Sequence, residues 1–148
     1  MSAHKVPISV LVVIHTPDLQ ILLLERSLHR GYWQSVTGSR EGEESLLETA
    51  QREVAEETGI CADAAAFTDW QLSTRYEIFP EWRHRYAPGV VENTEHVFSL
   101  EVPANTPVTL APDEHLAYCW LPWHEAAQKC FSSSNREAIL MLPGRLRR

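Results

Sequence analysis

Apolar positions along these 148 residues fall into short continuous runs and one stretch of helical period, and each marks an expected element. Residues 6–16 (VPISVLVVIHT) are rich in β-branched side chains and run into Pro17-Asp18, a turn signal; residues 21–26 (ILLLER) follow at hairpin distance. These two stretches predict paired strands. Residues 33–38 (WQSVTG) predict a further short strand. Between Ser45 and Thr58 the pattern changes, because Leu46, Leu47, Ala50, Val54 and Ala55 recur at three- and four-residue intervals, as the buried stripe of an amphipathic helix requires. Gly59 is placed to stop that helix, and Gly38 and Gly42 let the chain fold tightly ahead of it. Farther on, residues 67–79 and 96–102 are strand-like, with a polar connection, EWRHRYAPGVVENTE, between them. Residues 117–121 (AYCWL) predict one more buried strand. Residues 123–130 and 133–142 predict helices, the second with Ser132 to Ser134 as N-cap candidates and Glu137 in its first turn. Strands before and after an internal helix, with helices at the end, predict an α/β fold: a mixed sheet between helical layers.

Composition narrows the class. A chain that is 44% hydrophobic and 22% charged suits one globular domain, 1–148, with a core of its own. Its first residues, MSAHKVPIS, lack the charged and apolar regions of a signal peptide, and the longest purely apolar runs, 10–14 and 21–24, are too short to span a bilayer. The expectation is a cytoplasmic protein that needs neither a membrane nor an obligatory protein partner. Cys61, Cys119 and Cys130 are odd in number and lack C-x-x-C spacing, which argues against a disulfide framework or a zinc site. A formal charge of −7 argues against nonspecific nucleic-acid binding.

The location of that charge matters more than its sum. Glu41, Glu43, Glu44, Glu48, Glu53, Glu56 and Glu57 surround a lone base, Arg52, so 17 consecutive positions carry −6 of the −7. Glu53, Glu56 and Glu57 are spaced i, i+3 and i+4, which places their carboxylates side by side on the helix. Like charges so close repel unless a cation lies among them. Magnesium takes oxygen ligands while keeping waters and substrate phosphates, which suits such a cluster. The competing reading is a solvated acidic face, but a solubilising surface spreads its charge and this one concentrates it.

Gly38, five residues, Glu44, seven residues, Arg52-Glu53-Val54, Ala55, Glu56-Glu57, Thr58 and Gly59-Ile60 together fill every fixed position of the Nudix box. On residues 37–60 (TGSREGEESLLETAQREVAEETGI) the chain therefore resembles a Nudix hydrolase. That resemblance implies the Nudix fold, a mixed sheet sandwiched between helices (α/β/α). WQSVTGS, RHRYAPGV, NTEHVF, EHLAYCWL and SNREAI extend the likeness and are similar to the branch of the family that acts on dihydroneopterin triphosphate in bacterial folate synthesis. The implied reaction is magnesium-dependent hydrolysis to dihydroneopterin monophosphate and pyrophosphate, with manganese as a substitute ion. The implied catalytic residues are Glu53, Glu56, Glu57 and Glu114. Glu53 and Glu57 are metal ligands by this resemblance, and Glu56 serves a second ion or acts through water. Glu114 is the ligand or general base from outside the box, with Asp113 its rival. Arg52 holds the carboxylates in position, and Glu44 either joins them or favours the helix dipole.

Substrate contacts are expected from outside the helix. Lys5 and Arg26 sit at strand ends, where long basic side chains reach a phosphate or simply solvent. Arg83, His84, Arg85 and Tyr86 interleave basic and aromatic groups, as a loop closing over an anionic, ring-bearing substrate does. The strand end Tyr76, Glu77, Ile78 and Phe79, together with Trp33, supplies stacking candidates, each of which competes with a core role. Thr37 offers an oxygen beside the metal, and Ser132 a hydroxyl from the entrance of the last helix. The alternatives are a nucleoside triphosphate pyrophosphatase acting on substrates such as dATP, and a nonenzymatic nucleotide-binding domain.

Overall fold

The computed structural model describes residues 4–146, so the first three and last two residues of the expected domain lie outside the described residues. In chain order the elements are β1 (Ile8–His15), β2 (Gln20–Arg26), β3 (Trp33–Gln34), β4 (Val36–Ser39), α1 (Leu46–Thr58), β5 (Phe67–Glu77), β6 (Glu92–Glu101), β7 (His115–Pro122), α2 (Trp123–Lys129) and α3 (Ser133–Leu146).

The sheet is built on a fork. β1 and β2 pair at His15 and Ile21 beside their turn and then diverge. The segment from Trp33 to Ser39 fills the gap: β3 pairs with β2 through Leu24 and Glu25, and β4 pairs with β1 from Ser9 to Val12. A strand that changes neighbours cannot keep its ladder at the crossing, so the single short strand expected there is two. Ser35 marks the break. It is fully buried, its N–H donates to Asn135 Oδ1 at 2.8 Å, and its hydroxyl accepts from Asn135 Nδ2 at 3.0 Å. This clamp to α3 satisfies the backbone group that the sheet leaves over. On the outer edges β6 runs parallel to β1, β5 antiparallel to β6, and β7 antiparallel to β2.

Alternation along β1 separates two apolar layers. Val10, Val12 and Ile14 pack with Ala50 and Val54 of α1 and with Phe98 and Leu100, while Leu11 and Val13 pack with Ala126, Ala138, Ile139 and Leu142 of α2 and α3. Burying each such aliphatic side chain contributes about 1.5–3 kcal/mol. The result is the expected mixed sheet between helical layers.

Three expected boundaries move. β6 begins at Glu92 instead of 96, because Thr94 and Glu95 pair with Ile8 and Ser9 on one edge and with Arg75 and Thr74 on the other. The polar run ENTE is a strand because β5 pairs with all of it and β1 with its second half. The expected open connection is correspondingly shorter, and Pro80–Arg85 within it forms a 3-10 turn. α3 continues through Pro143 to Leu146. Among the described residues the three cysteines are free, and no helix is long and apolar enough to cross a membrane.

Candidate active site

Both ends of α1 are fixed locally. Ser45 and Glu48 form a capping box, with the Glu48 N–H donating to Ser45 Oγ at 3.1 Å and the Ser45 N–H to Glu48 Oε1 at 2.8 Å. Gly59 ends the helix with φ 75°. Glu48 is thereby committed to the cap. Of the three adjacent carboxylates, Glu53 and Glu57 turn inward, 9% and 3% exposed, while Glu56 faces solvent.

β4 passes close over Glu53. A Cβ on Gly38 would stand 2.0 Å from Glu53 Cδ and Oε2, so only glycine permits the approach. Arg52 ties the remaining carboxylates together. It donates to both oxygens of Glu44 (2.7 and 3.0 Å), to Glu53 Oε2 (3.1 Å), to Glu56 Oε1 (3.3 Å) and to the Ser39 carbonyl (2.9 Å). The guanidinium hydrogen bonds hold the Glu44 carboxyl down at about 2. Glu44 therefore belongs to the cluster and does more than favour the helix dipole.

Glu57 has no such support. Its Oε1 is buried without a hydrogen-bond partner, 3.7 Å from His115 Nε2. Burial first, then the charge of Glu53, pushes Glu57 well above the usual carboxylate range, and burial raises Glu53 as well. Burial followed by the charge of Arg26 depresses His115 to about 4, so at neutral pH the imidazole is uncharged and its contact with Glu57 is not an ion pair. His115 was not singled out from the sequence. Its place beside Glu114 at the start of β7, where His115 pairs with Arg26 of β2, was the available signal.

Facing the carboxylates is a group of cations. The Lys5 N–H donates to the Arg85 carbonyl at 2.8 Å, and Arg26 Nη1 donates to Gln34 Oε1 at 3.3 Å. The Arg26 guanidinium lies 4.8 Å from the centre of the Trp82 ring. Burial first, then the charge of Arg85, lowers both Lys5 and Arg26. Among the described residues no carboxylate lies within 4.0 Å of Lys5, Arg26 or Arg85. Lys5 is within the field of Glu53 and Glu114, and Arg26 within that of Glu57 and Glu114, so carboxylates and cations share one site. Glu114 itself is exposed and adds its charge to Glu57, whereas Asp113 contacts the site only through its carbonyl, which accepts from Ser27.

The other expected contacts divide. Tyr76 and Phe79 keep 39% and 46% of their surface open, and the buried Tyr76 hydroxyl, pushed up to about 12, accepts from Asn93 Nδ2 at 3.0 Å. Thr37 donates its hydroxyl to the Val10 carbonyl, and Ser132 is hydrogen-bonded to Ser134 at the start of α3. Glu77 is exposed and paired with Arg83 at 3.3 Å. The Ile78 side chain is buried, 3% exposed, and its carbonyl accepts from Arg83 Nε. Arg83 thus braces the turn, and Arg85 is the base from that segment that joins the site. Trp33 is half-buried, packed against the core with the Lys129 ammonium over its ring.

These residues fit a hard divalent cation. The donors are all oxygen, one buried carboxylate oxygen lacks a partner, and Gly38 leaves room exactly for Glu53. Glu53 and Glu57 would hold the ion, while Arg52 occupies Glu56. Among the described residues no group of three His, Cys, Asp or Glu is placed to hold a metal, so Glu114 does not join Glu53 and Glu57 as a third ligand, and water and phosphate would complete the shell. Two surface depressions elsewhere, at Trp70 and Arg145 and at Asp18, Asn105 and Trp120, include none of these groups.

The chain is 45% identical over 139 residues to the dihydroneopterin triphosphate diphosphatase of Escherichia coli (strain K12), a match that covers 92% of this chain and 91% of that protein. It is 39% identical to the Haemophilus influenzae protein of the same name, covering 100% and 94%. The solved E. coli dihydroneopterin triphosphate pyrophosphohydrolase matches with a TM-score of 0.86 and 44% identity over 93% of this chain and 95% of that one. The NUDIX domain model matches residues 5–142, so, with box, fold and relatives in agreement, this chain belongs to the Nudix family.

Proposed function

We propose that this chain, acting as a single domain, hydrolyses dihydroneopterin triphosphate to dihydroneopterin monophosphate and pyrophosphate, with magnesium as its ion and manganese as a substitute. The observation that carries this reading is the opposition of the buried Glu53 and Glu57 to the unpaired Lys5, Arg26 and Arg85. The likeness of nearly the whole chain to proteins named for that substrate supports the choice of triphosphate.

A divalent ion bound by Glu53 and Glu57 would screen the phosphate charge and lower the pKa of a bound water. Arg52 fixes Glu53, together with Glu44 and Glu56, through its donor contacts, a supporting role of the kind that sets ligand orientation. Lys5, Arg26 and Arg85 neutralise the triphosphate and hold it against the carboxylates. Glu114, exposed at the mouth of the site and close enough to Glu57 to raise it, takes the proton of the attacking water. The water oxygen forms the new P–O bond, and the bridging oxygen between the first and second phosphates leaves with the electrons of the bond that breaks. Tyr76 and Phe79 offer open aromatic surface to the ring, Glu77 and Ile78 belong to the same strand end, Thr37 offers an oxygen beside the metal, and Ser132 offers a hydroxyl from the entrance of α3.

Pyrophosphate release by the purified protein with magnesium, measured in parallel on dihydroneopterin triphosphate and the four dNTPs, tests the reading. The pterin should give the highest kcat/KM, with dATP detectable but poorer. Equal or better efficiency on dATP refutes the substrate assignment and makes the protein a nucleoside triphosphate pyrophosphatase.

A further inference from the structure

Glu95 is a carboxylate that the hydrolytic chemistry does not use. It lies in the middle of the sheet, opposite Ser9 of β1 and Thr74 of β5, and is 5% exposed. It shares a face of β6 with Val97, on the side of the sheet covered by α3 and away from α1. One oxygen accepts from Ser134 Oγ at 2.9 Å; among the described residues the other receives no hydrogen bond, and no cationic side chain lies within 4.0 Å. Burial raises its pKa despite the Ser134 hydrogen bond. A carboxylate buried in this way is unfavourable until donors reach it.

Its surroundings repeat the deficit. Asn93 Oδ1 is buried without a partner, while the same side chain donates to Ser9 and to the Tyr76 hydroxyl. Tyr76 lies within the field of both Glu95 and Arg26, so it adjoins this group of acceptors and the phosphate-binding cations alike.

We propose that Glu95 is a specificity-determining residue, whose carboxylate accepts the exocyclic amine and the adjacent ring N–H of a 2-amino-4-oxopyrimidine edge while Tyr76 lies against the ring and Lys5, Arg26 and Arg85 hold the triphosphate. Two parallel N–H donors match the spacing of two carboxylate oxygens, the geometry of a fork pair. Pterin and guanine both carry that edge. Adenine has a ring acceptor beside its amine and sets a lone pair against the carboxylate. The inference rests on the triphosphate hydrolysis proposed above and names the group that reads the ring.

The test is Glu95→Gln, with kcat/KM measured on dihydroneopterin triphosphate, dGTP and dATP. An amide keeps the shape but offers one acceptor and turns a donor toward a donor. Both the pterin-to-dATP and the dGTP-to-dATP ratios should fall about tenfold to a hundredfold, mainly through KM. Ser134→Ala, which removes the hydroxyl that orients Glu95, should lower the same ratios by less. If all three substrates fall together and the ratios stand, Glu95 is merely structural and the proposal is overturned. If Glu95→Gln does not accumulate as folded protein, unchanged ratios in Ser134→Ala overturn it instead. A wild type that prefers dATP to the pterin would remove the substrate reading alone, because the dGTP-to-dATP ratio still decides Glu95.

Discussion

Replacing Gly38 by alanine probes the closest approach in the site. The added Cβ would stand 2.0 Å from Glu53 Cδ and Oε2 and 2.5 Å from Cγ. Attractive contact between such atoms begins near 3.5 Å, so something must retreat by about 1.5 Å. β4 is held to β1 by paired residues from Ser9 to Val12, whereas the Glu53 carboxylate is the far end of a flexible side chain. The side chain therefore yields, and with it the 3.1 Å hydrogen bond from Arg52. Folding should survive: local overpacking costs about 1–3 kcal/mol, against roughly 0.5–1 kcal/mol gained by replacing a strand glycine. For a chain of this size that is a fall in Tm of a few degrees, at about 2–4 °C per kcal/mol. Catalysis should not survive so well, because displacing a positioned group by an ångström costs about 10²-fold. Initial rates across a magnesium titration, beside thermal melts, should show kcat/KM down by at least that factor and a raised magnesium requirement. A kcat/KM within threefold of wild type at unchanged magnesium dependence would refute the reasoning. So would a collapse of the fold, since the strand and not the carboxylate would then have given way.

Glu57→Gln keeps shape and removes charge, and turnover should drop by several orders of magnitude; retained turnover with unchanged magnesium dependence would exclude Glu57 as an ion anchor. In the metal-free protein the raised Glu57 means that ionisation opposes folding, so stability is lost as pH rises through the folded pKa. The amide escapes that loss and should melt higher than wild type under alkaline, chelated conditions. Glu114→Gln should lower kcat by about 10²–10⁴-fold with folding intact, as removal of a positioned base does. Asp113→Asn should change little, and a crippled Asp113→Asn beside a healthy Glu114→Gln would reverse the choice.

Legibility followed periodicity. β1 and β2 were readable as apolar runs on either side of a turn signal and α1 by its buried stripe, and the box helix carries its own cap and stop in Ser45, Glu48 and Gly59. Glu92 to Glu95 were not, because a strand held by backbone pairing to β5, and at Thr94 and Glu95 also to β1, needs no apolar alternation. The inward turn of Glu53 and Glu57 and the outward turn of Glu56 depend on where β4 crosses the helix, which spacing alone does not encode. Arg85 and Arg83 are neighbours of one type in one segment, yet one joins the site and the other braces the Ile78 carbonyl. Only the path of the 3-10 turn separates them. Ile78 and Trp33 show the converse, apolar groups plausible as ring contacts of which the first is buried and the second half-buried against the core.

The fork in the sheet accounts for why the chemistry gathers at one end. β1 begins, β2 ends, β4 ends, β6 begins and β7 begins on the side away from the hairpin turn, as the pairings of Ser9 with Ser39 and Glu95 and of Arg26 with His115 require. Lys5, Arg26, Gly38 and Glu114 are far apart in sequence, but each lies at or just outside one of those strand ends, and Glu95 of β6 pairs with Ser9 near the start of β1. Divergence of β1 from β2 opens the gap that β4 enters, and β4 carries the glycine under which Glu53 fits. The same divergence leaves Arg26 beyond the reach of a carboxylate partner, with its Nε unbonded and its guanidinium over Trp82. Unpaired cations and a repelling carboxylate pair are each unfavourable alone; a triphosphate carried in with a divalent ion relieves both at once. Binding free energy is thus drawn from charges the fold keeps apart, and an uncharged pterin without its phosphates should bind far more weakly than the triphosphate does.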